Sequence, residues 1–458
     1  MEYREDKVKD IQIAYIGGGS RGWAWNLMGD FALEDKISGT VRLYDIDQKA
    51  AEDNEKVAGN LFSREDVKRE WEFEAVDSLA EALSGVDFVI ISILPGTFAE
   101  MESDVHTPEE YDIYQSVGDS VGPGGLVRAL RIIPMYVEIA EAIKDFSPEA
   151  WIINYTNPMT LCTRTLYEVF PEIKAFGCCH EVFATQELLA EALSELEGIK
   201  NVKRDEIKVN VKGINHFTWL DWVSYKGKDL IPLYEKFVDK YYESGYGERN
   251  DDHFSSLERV KIDLFKRYGL IAASGDRHLA EFCPKNWYLK DPEQVNEWGF
   301  DLTPVSWRIK DKEDKMEKSK ALREGKEKIE IKASGEEGIR QIKAILGLEE
   351  FVTNVNLPNE GQIKGLPEGA VVETNALFTK DVVKPIIAGP LSDNVQSLVE
   401  RHVLNQETIL EAALNKDKEL AFSAFVNDPL VDLDLEEARE LFEKMLRNTK
   451  EYLPGWDI

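Results

Sequence analysis

The stretch IQIAYIGGGSRG (11–22) decides the fold of this chain. Its first residues are apolar and β-like, and Gly17, Gly19 and Gly22 follow in G-x-G-x-x-G spacing. Glycines allow a tight turn between a strand and a helix, and they let backbone N–H groups approach a pyrophosphate at the helix N-terminus. The pattern predicts a dinucleotide site, with Ser20 and Arg21 in its loop, rather than a purely structural turn.

A carboxylate ends the second predicted strand, VRLYDID (41–47). Asp45 lies 23 residues after Gly22, where an acidic side chain binds ribose hydroxyls in dinucleotide-binding folds. Asp47 is the alternative. An acid at this position favours NAD+ over NADP+, because a 2′-phosphate would prefer a basic partner.

The predicted fold is α/β, with a doubly wound parallel sheet of the Rossmann type followed by a mixed α+β domain. The apolar runs 87–94, 151–158 and 173–179 have the character of parallel strands covered on both faces, and helix-like segments separate them. Over residues 206–231, apolar and polar residues alternate as in antiparallel strands, and helical stretches and another β-like pair follow. We therefore expect an NAD-binding domain over 1–200 and a substrate, metal and oligomerisation domain over 201–458.

The composition excludes several classes of partner. The 86 acidic residues outnumber the 55 basic ones and give a net charge of -31, which repels nucleic acid and anionic membranes. No window approaches the ~18 consecutive apolar residues of a membrane helix, and the charged first residues lack a signal-peptide core. The 4 cysteines include no C-x-x-C pair, so reduced thiols and a cytoplasmic location are expected.

Two polar segments follow predicted strands, and each has either a ligand-binding or an ordinary structural role. The glycine-rich stretch 118–134 carries Arg128 and Arg131, which are either solvated or face an anionic group of cofactor or substrate. Asn154 and Asn157 in NYTNP lie at a strand end, where ligands bind in such sheets, although asparagine is also a common turn former.

Cys179 and His216 form the candidate metal pair. Taken alone, His216 in the apolar stretch 213–220 has the character of a core histidine bonded to backbone. Together with Cys179 it supplies a thiolate and an imidazole, ligands suited to a divalent transition metal. Two protein ligands would leave positions open for substrate and water, unlike a structural zinc site with four protein ligands.

The motifs occur in a recognisable order. GGGSRG, LYDID, GPGG…RALRIIP, NYTNP, CHEV and GINHFTW together resemble glycoside hydrolase family 4, the NAD- and manganese-dependent glycosidases, across essentially the whole chain. The resemblance implies oxidation of the sugar at C3 by NAD+, removal of the C2 proton, elimination at C1, addition of water and return of the hydride. It also implies that Cys179 and His216 bind the metal, which holds O2 and O3 of the sugar.

The resemblance further implies a set of catalytic and substrate residues. Asp276 in SGDRHLAEF is the expected base, and His180 and Asn157 are expected to contact substrate hydroxyls or the leaving-group oxygen. The sequence CHEV resembles the α-galacturonidase branch, for which Arg131 or Arg277 would bind the uronate carboxylate. Family members are expected to be homodimers or homotetramers.

Other activities remain alternatives at this point. Within the family they are an α-glucuronidase, an α-galactosidase or an α-glucosidase. A 2-hydroxyacid dehydrogenase of the lactate or malate type has a similar fold and TNP turn, but it needs no Cys–metal site. A regulatory NAD-sensing protein would bind NAD without depending on a metal.

Overall fold

The N-terminal half of the chain builds the parallel part of a large sheet. The computed structural model describes residues 1–67, 70–250 and 252–458. The strands of this half are β1 (Glu2–Arg4), β2 (Lys7–Ile16), β3 (Ile37–Tyr44), β4 (Trp71–Ala75), β5 (Phe88–Ile91), β6 (Trp151–Asn154) and β7 (Lys174–Gly177). Their spatial order β4-β3-β2-β5-β6-β7 is all parallel and is the Rossmann order, with β1 antiparallel beside β2. The predicted fold class is confirmed.

Helices cover both faces of this sheet. They are α1 (Trp23–Leu33), α2 (Gln48–Phe62), α3 (Leu79–Leu83), α4 (Phe98–His106), α5 (Gly122–Phe146), α6 (Met159–Val169) and α7 (Glu181–Glu197), with a 3₁₀ turn at Pro108–Tyr111. The carboxylate of Asp47 accepts the Ala50 N–H and caps the start of α2. A capping box formed by Thr97 and Glu100 begins α4.

The C-terminal half contributes to two sheets. The strands β8 (Ile207–Ile214), β9 (Phe217–Tyr225), β10 (Lys228–Asp229) and β11 (Ile271–Ala272) form a separate antiparallel sheet. The strands β12 (Phe351–Pro358), β13 (Val371–Thr379) and β14 (Val382–Pro385) instead extend the first sheet beyond β7. The domain boundary near residue 200 stays a prediction, since the first sheet draws strands from both sides of it.

Short and long helices surround these strands. They are α8 (Ile231–Tyr241), α9 (Arg259–Tyr268), α10 (Asp276–Glu281), α11 (Lys285–Tyr288), α12 (Pro292–Trp298), α13 (Val305–Arg323), α14 (Gly338–Ile345), α15 (Asp393–Asn415), α16 (Lys418–Asn427) and α17 (Leu435–Asn448), with 3₁₀ turns at Arg204–Glu206 and Lys450–Tyr452. Within the described ranges, none of the helices combines the length and the apolar character needed to cross a bilayer.

The largest apolar core joins the two halves. Leu126 and Leu130 of α5 belong to the same buried cluster as Phe217 and Trp219 of β9. The charged helix α13 also bridges the halves, because Arg323 at its end pairs with Asp53 of α2 at 2.8 Å. This packing sets the C-terminal loops against the carboxyl ends of the parallel strands, where α/β folds bind ligands.

Candidate active site

A cavity of about 370 Å³ lies at the carboxyl ends of the parallel strands. Its walls combine the first residue of α1, the segment before α5, the β6–α6 and β7–α7 loops, the β8–β9 turn, the loops before α9 and α10, and the first turn of α13. Both halves of the chain therefore supply side chains to one site.

The glycine loop beside the cavity has room for backbone only. A Cβ at Gly17, where φ is +92°, would lie 1.9 Å from the Ser92 carbonyl oxygen. The Gly19 N–H donates to Asp45 Oδ2 at 2.9 Å, and a Cβ at Gly19 would lie 2.8 Å from the same oxygen. The Asn54 amide donates to the carbonyls of Gly18 and Ser20, which fixes the loop. This geometry fits a pyrophosphate held by backbone N–H groups.

The acids after β3 have different roles. Asp45 accepts the N–H groups of Gly19 and Asp47, and burial raises the pKa of its carboxyl group. Asp47 caps α2 and lies 3.8 Å from the guanidinium of Arg21, also in the predicted loop. Asp45 is thus the acid placed against the glycine loop.

Asn154 is the other residue predicted to contact the cofactor. It is buried beneath the cavity, where its amide oxygen accepts the Tyr136 hydroxyl at 2.6 Å.

Three possible metal ligands converge in the cavity. One ligand atom each from Asp119, His216 and His278 lie within 4.8 Å of one another. The rings of the two histidines stack with their centroids 3.7 Å apart. Cys179 lines the same cavity, so the structure brings together the two predicted ligands, Cys179 and His216. Asp119 and His278 are additional donors that the sequence reasoning did not identify.

His216 has an unusual backbone conformation, and its ring contacts a serine hydroxyl. It forms the turn between β8 and β9 with φ of +65°, and its Nδ1 lies 3.1 Å from the Ser120 hydroxyl. Burial, reinforced by the neighbouring His278, lowers the pKa of His216 to about 3. The imidazole is therefore neutral near pH 7, which is the form that binds metals.

Asp119 and Asn157 face the cavity as a bonded pair. The Asn157 amide donates to Asp119 Oδ2 at 3.1 Å. Burial opposes ionisation of Asp119, but His216, His278 and Arg128 together lower its pKa to about 2. The amide oxygen of Asn157 is buried and has no hydrogen-bond partner among the described residues. An acceptor of this kind suits a hydroxyl group of a ligand, and the contact of Asn157 with substrate stays a prediction.

Glu181 has a definite structural role. Its Oε2 accepts the Gly275 N–H at 2.7 Å, and its Oε1 lies 3.8 Å from His278 Nε2. Burial opposes ionisation, but His278 and His216 lower the pKa of Glu181 to about 2. Glu181, the third residue of CHEV, thus holds the segment that carries His278 in place.

The comparisons with known proteins agree with this site. The model of family 4 glycosyl hydrolases matches residues 12–195, and that of their C-terminal domain matches residues 211–431. The chain belongs to the family 4 glycosyl hydrolases. An α-galacturonidase from Thermoanaerobacterium saccharolyticum is 65% identical to it over 463 residues and 100% of both chains. The resemblance drawn from the ordered motifs is confirmed.

Solved structures extend the comparison with the family 4 glycosyl hydrolases. A Bacillus subtilis protein described as a glucosidase is 52% identical, with a TM-score of 0.92 over 96% of this chain and 100% of that one. A 6-phospho-α-glucosidase from gut microorganisms, solved with NAD and Mn2+, has a TM-score of 0.80 over 98% of this chain and 100% of its own. At 20% identity, the latter likeness concerns the fold.

The remaining predicted catalytic residues border the cavity of this family 4 enzyme. Asp276 is buried, its carboxylate accepts the N–H groups of Val260 and Lys261 at the start of α9, and burial with Glu258 nearby raises its pKa to about 7. His180 is half-exposed, and its Nδ1 lies 2.8 Å from Glu336, which raises the pKa of His180.

Neither predicted arginine offers a free guanidinium to the cavity. Arg131 is buried in an ion pair with Asp104 and does not line the cavity. Arg277 lines it, but its guanidinium donates to the carbonyls of Ser116 and Asp301 and to the hydroxyl of Thr303. Their assignment to substrate stays a prediction.

Proposed function

We propose that this family 4 glycosyl hydrolase is an α-galacturonidase that uses NAD+ and a divalent transition metal such as Mn2+. The observation that carries the mechanism is that Trp23, the residue after the glycine loop, lines the same cavity as Cys179 and His216. The full-length similarity to an α-galacturonidase supports the choice of sugar. α-Glucuronides, α-galactosides and α-glucosides are the alternative substrates, the last because a similar structure is described as a glucosidase.

The residues present fit both cofactors. The backbone cradle between Gly17 and Gly22 suits a pyrophosphate, and the carboxylate of Asp45 suits a ribose. A thiolate from Cys179 and a neutral imidazole from His216 suit a transition metal. When bound, NAD+ supplies a hydride acceptor for the sugar, and the metal supplies Lewis-acid stabilisation of developing negative charge.

The protein groups orient the sugar and accept its proton. The amide oxygen of Asn157 accepts a sugar hydroxyl, and His180 contacts a hydroxyl or the leaving-group oxygen. Asp276, whose pKa is about 7, is our proposed base at C2, since a base works best when its pKa lies near the working pH. Asp276 lines the cavity, and its two carboxylate oxygens accept backbone N–H groups at the start of α9, which hold the side chain in place.

A substrate panel tests the proposal. The protein is incubated with an α-galacturonide, an α-glucuronide, an α-galactoside and an α-glucoside in the presence of NAD+, Mn2+ and a thiol reductant. The α-galacturonide should be cleaved fastest, omission of either cofactor should stop cleavage, and C2 should exchange with D2O. Steady accumulation of NADH, or cleavage that a chelator leaves unchanged, would contradict the mechanism.

A matched cysteine pair tests the metal site. Cys179→Ser should weaken Mn2+ binding and abolish turnover while NAD+ binding is retained. Cys178→Ser is the control, because Cys178 is buried and its thiol donates to Gln341 at 3.0 Å. Equal metal affinity in the two variants would contradict the assignment of Cys179.

We further propose a homodimer or homotetramer in the cytoplasm. The four cysteines are free, which suits a reducing compartment. Val382 and Ile387, on or just after the edge strand β14, are exposed apolar residues that an interface between subunits would cover. Light scattering after size exclusion measures the assembly, and a monomer at micromolar concentration would contradict this part of the proposal.

A further inference from the structure

Two arginines without an ion-pair partner among the described residues, Arg277 and Arg308, line the cavity, and Arg308 is the one that also lacks a hydrogen bond. It lies in the first turn of α13, whose start is anchored by a 3.1 Å hydrogen bond from the Val305 N–H to His106 Nε2. Among the described residues, no carboxylate lies within 4.0 Å of its guanidinium and no hydrogen-bond acceptor is in reach. Its guanidinium carbon lies 4.9 Å from the ring centroid of Phe254 and 5.3 Å from that of Trp307.

The surroundings of Arg308 make an anionic ligand favourable. Burial lowers the pKa of Arg308, and Asp119 and Asp311 only partly offset that effect. A partly desolvated guanidinium without a hydrogen-bonded partner is costly, and a carboxylate ligand would relieve that cost through two parallel hydrogen bonds. The two aromatic rings fix the plane of the guanidinium, which is what a bidentate pair requires.

Two acidic side chains of the cavity already have partners within the protein. The carboxylate of Glu181 is already bonded to the Gly275 N–H and faces the histidines, and that of Asp119 accepts the Asn157 amide and the Ser120 hydroxyl. Arg277, the other arginine in the cavity wall, already donates to protein oxygens from its Nε and Nη2.

We propose that Arg308 binds the C5 carboxylate of the uronide and thereby determines the preference for a uronide over the matching neutral hexoside. This inference rests on the proposed function and deepens it.

The position along α13 favours the substrate over the cofactor phosphates as the partner of Arg308. Lys315, two helical turns further along α13, lies at the glycine loop, with its Nζ 3.8 Å from the position of a Cβ on Gly22. Seven residues of helix separate the two side chains by about 10 Å. Arg308 lies instead beside Phe254, at the end of the cavity formed by the C-terminal half.

Arg308→Gln, Arg308→Lys and a control, Arg323→Gln, test the proposal. Arg323 lies on the same helix, and neither it nor its partly buried partner Asp53 lines the cavity. The enzyme loaded with NAD+ and Mn2+ is assayed on 4-nitrophenyl α-galacturonide and 4-nitrophenyl α-galactoside. We expect Arg308→Gln to lower kcat/KM for the galacturonide about 100-fold, chiefly through KM, and to leave the galactoside rate and the NAD+ affinity unchanged.

The lysine variant should fall between wild type and Arg308→Gln, since it keeps the charge but loses the bidentate geometry. Arg323→Gln should match wild type on both substrates. Equal losses on the two substrates, or weaker NAD+ binding in Arg308→Gln, would overturn the assignment of Arg308.

Calorimetric binding of free galacturonate, glucuronate and galactose separates this inference from the proposed function. A wild-type enzyme that does not cleave the galacturonide refutes the proposed function. Arg308 is then judged by binding: uronate binding that weakens selectively in Arg308→Gln supports its role, and a wild type that binds neither uronate refutes it. Circular dichroism confirms that each variant is folded.

Discussion

The carboxylate of Glu181 accepts a 2.7 Å hydrogen bond from the backbone N–H of Gly275. This contact ties the first turn of α7 to the loop before α10, across 94 residues of sequence. Because His278 follows three residues after Gly275, the contact positions one member of the donor cluster relative to Cys179. Glu181, an acidic residue in the proposed site for an anionic sugar, thus has its partner within the protein.

Replacing Glu181 tests its contributions to the stability of the fold and to metal binding. Glu181→Ala should lower the free energy of unfolding by about 1.5–3 kcal/mol, since a charge-assisted hydrogen bond to a partly buried N–H is lost. It should also weaken Mn2+ binding about 10–100-fold, the usual effect of removing a group that orients a metal ligand. Glu181→Gln keeps an acceptor for Gly275, so its stability should lie closer to wild type. Thermal unfolding and calorimetry measure both quantities, and an unchanged stability in the alanine variant would argue against the tether.

A pair of glycine substitutions tests the cofactor cradle. In Gly17→Ala the new Cβ would overlap the Ser92 carbonyl, and the positive φ adds strain, so we expect a loss of about 3 kcal/mol or more in stability, together with loss of NAD+ binding. Gly59→Ala in α2 is the matched control. Nothing lies within 4 Å of its Cβ, so the change should stabilise the helix by about 0.5–1 kcal/mol. Similar effects of the two substitutions on unfolding and NAD+ titration would contradict the cradle.

The sequence predicted the parts of the molecule that depend on local pattern. The apolar runs and the glycines after β2 are enough to predict the parallel sheet. Cys179 and His216 are residue types that commonly bind metals, which made them candidates. Asp119, in the segment before α5, and His278, in α10, were missed because they lie far apart in sequence, and only tertiary packing brings them to His216. In the same way, the β-like pattern of β12 cannot show that it pairs with β7 and extends the first sheet.

For Arg131, the sequence suggested a contact that the tertiary packing does not show. The sequence suggested a substrate contact, whereas the guanidinium is buried against Asp104. Arg131→Gln should cost about 3–5 kcal/mol, because it leaves Asp104 charged and unpaired in the interior. KM for the galacturonide in the folded fraction should be unchanged. Arg164→Gln, which breaks partly exposed pairs with Glu168 and Glu407, should cost less, about 0–2 kcal/mol. A raised KM without loss of stability in Arg131→Gln would instead support the role in substrate binding.

Glu281 makes the stability of the protein depend on pH. Its Oε1 accepts the N–H groups of Val117 and Gly118 at 2.7 and 2.9 Å, while its Oε2 is buried with no hydrogen-bond partner in the described part of the chain. Burial raises the pKa of Glu281 to about 8, well above the value of about 4.3 in an unfolded chain. The folded state therefore holds a proton that the unfolded state releases between these two values.

Because the pKa of Glu281 is higher in the folded state than in the unfolded chain, the protein loses stability as the pH rises. The stability associated with protonated Glu281 is fully present below pH 4.3 and is lost as the pH rises toward 8, by a few kcal/mol in total. Glu281→Gln resembles the protonated form and keeps the acceptor for both N–H groups. Its melting temperature should match wild type near pH 4.5 and exceed it at pH 8.5. Glu72→Gln, at an exposed position of β4, should follow wild type at both pH values. A Glu281→Gln variant whose melting temperature falls below wild type at pH 8.5 would show that the ionised carboxylate stabilises the fold.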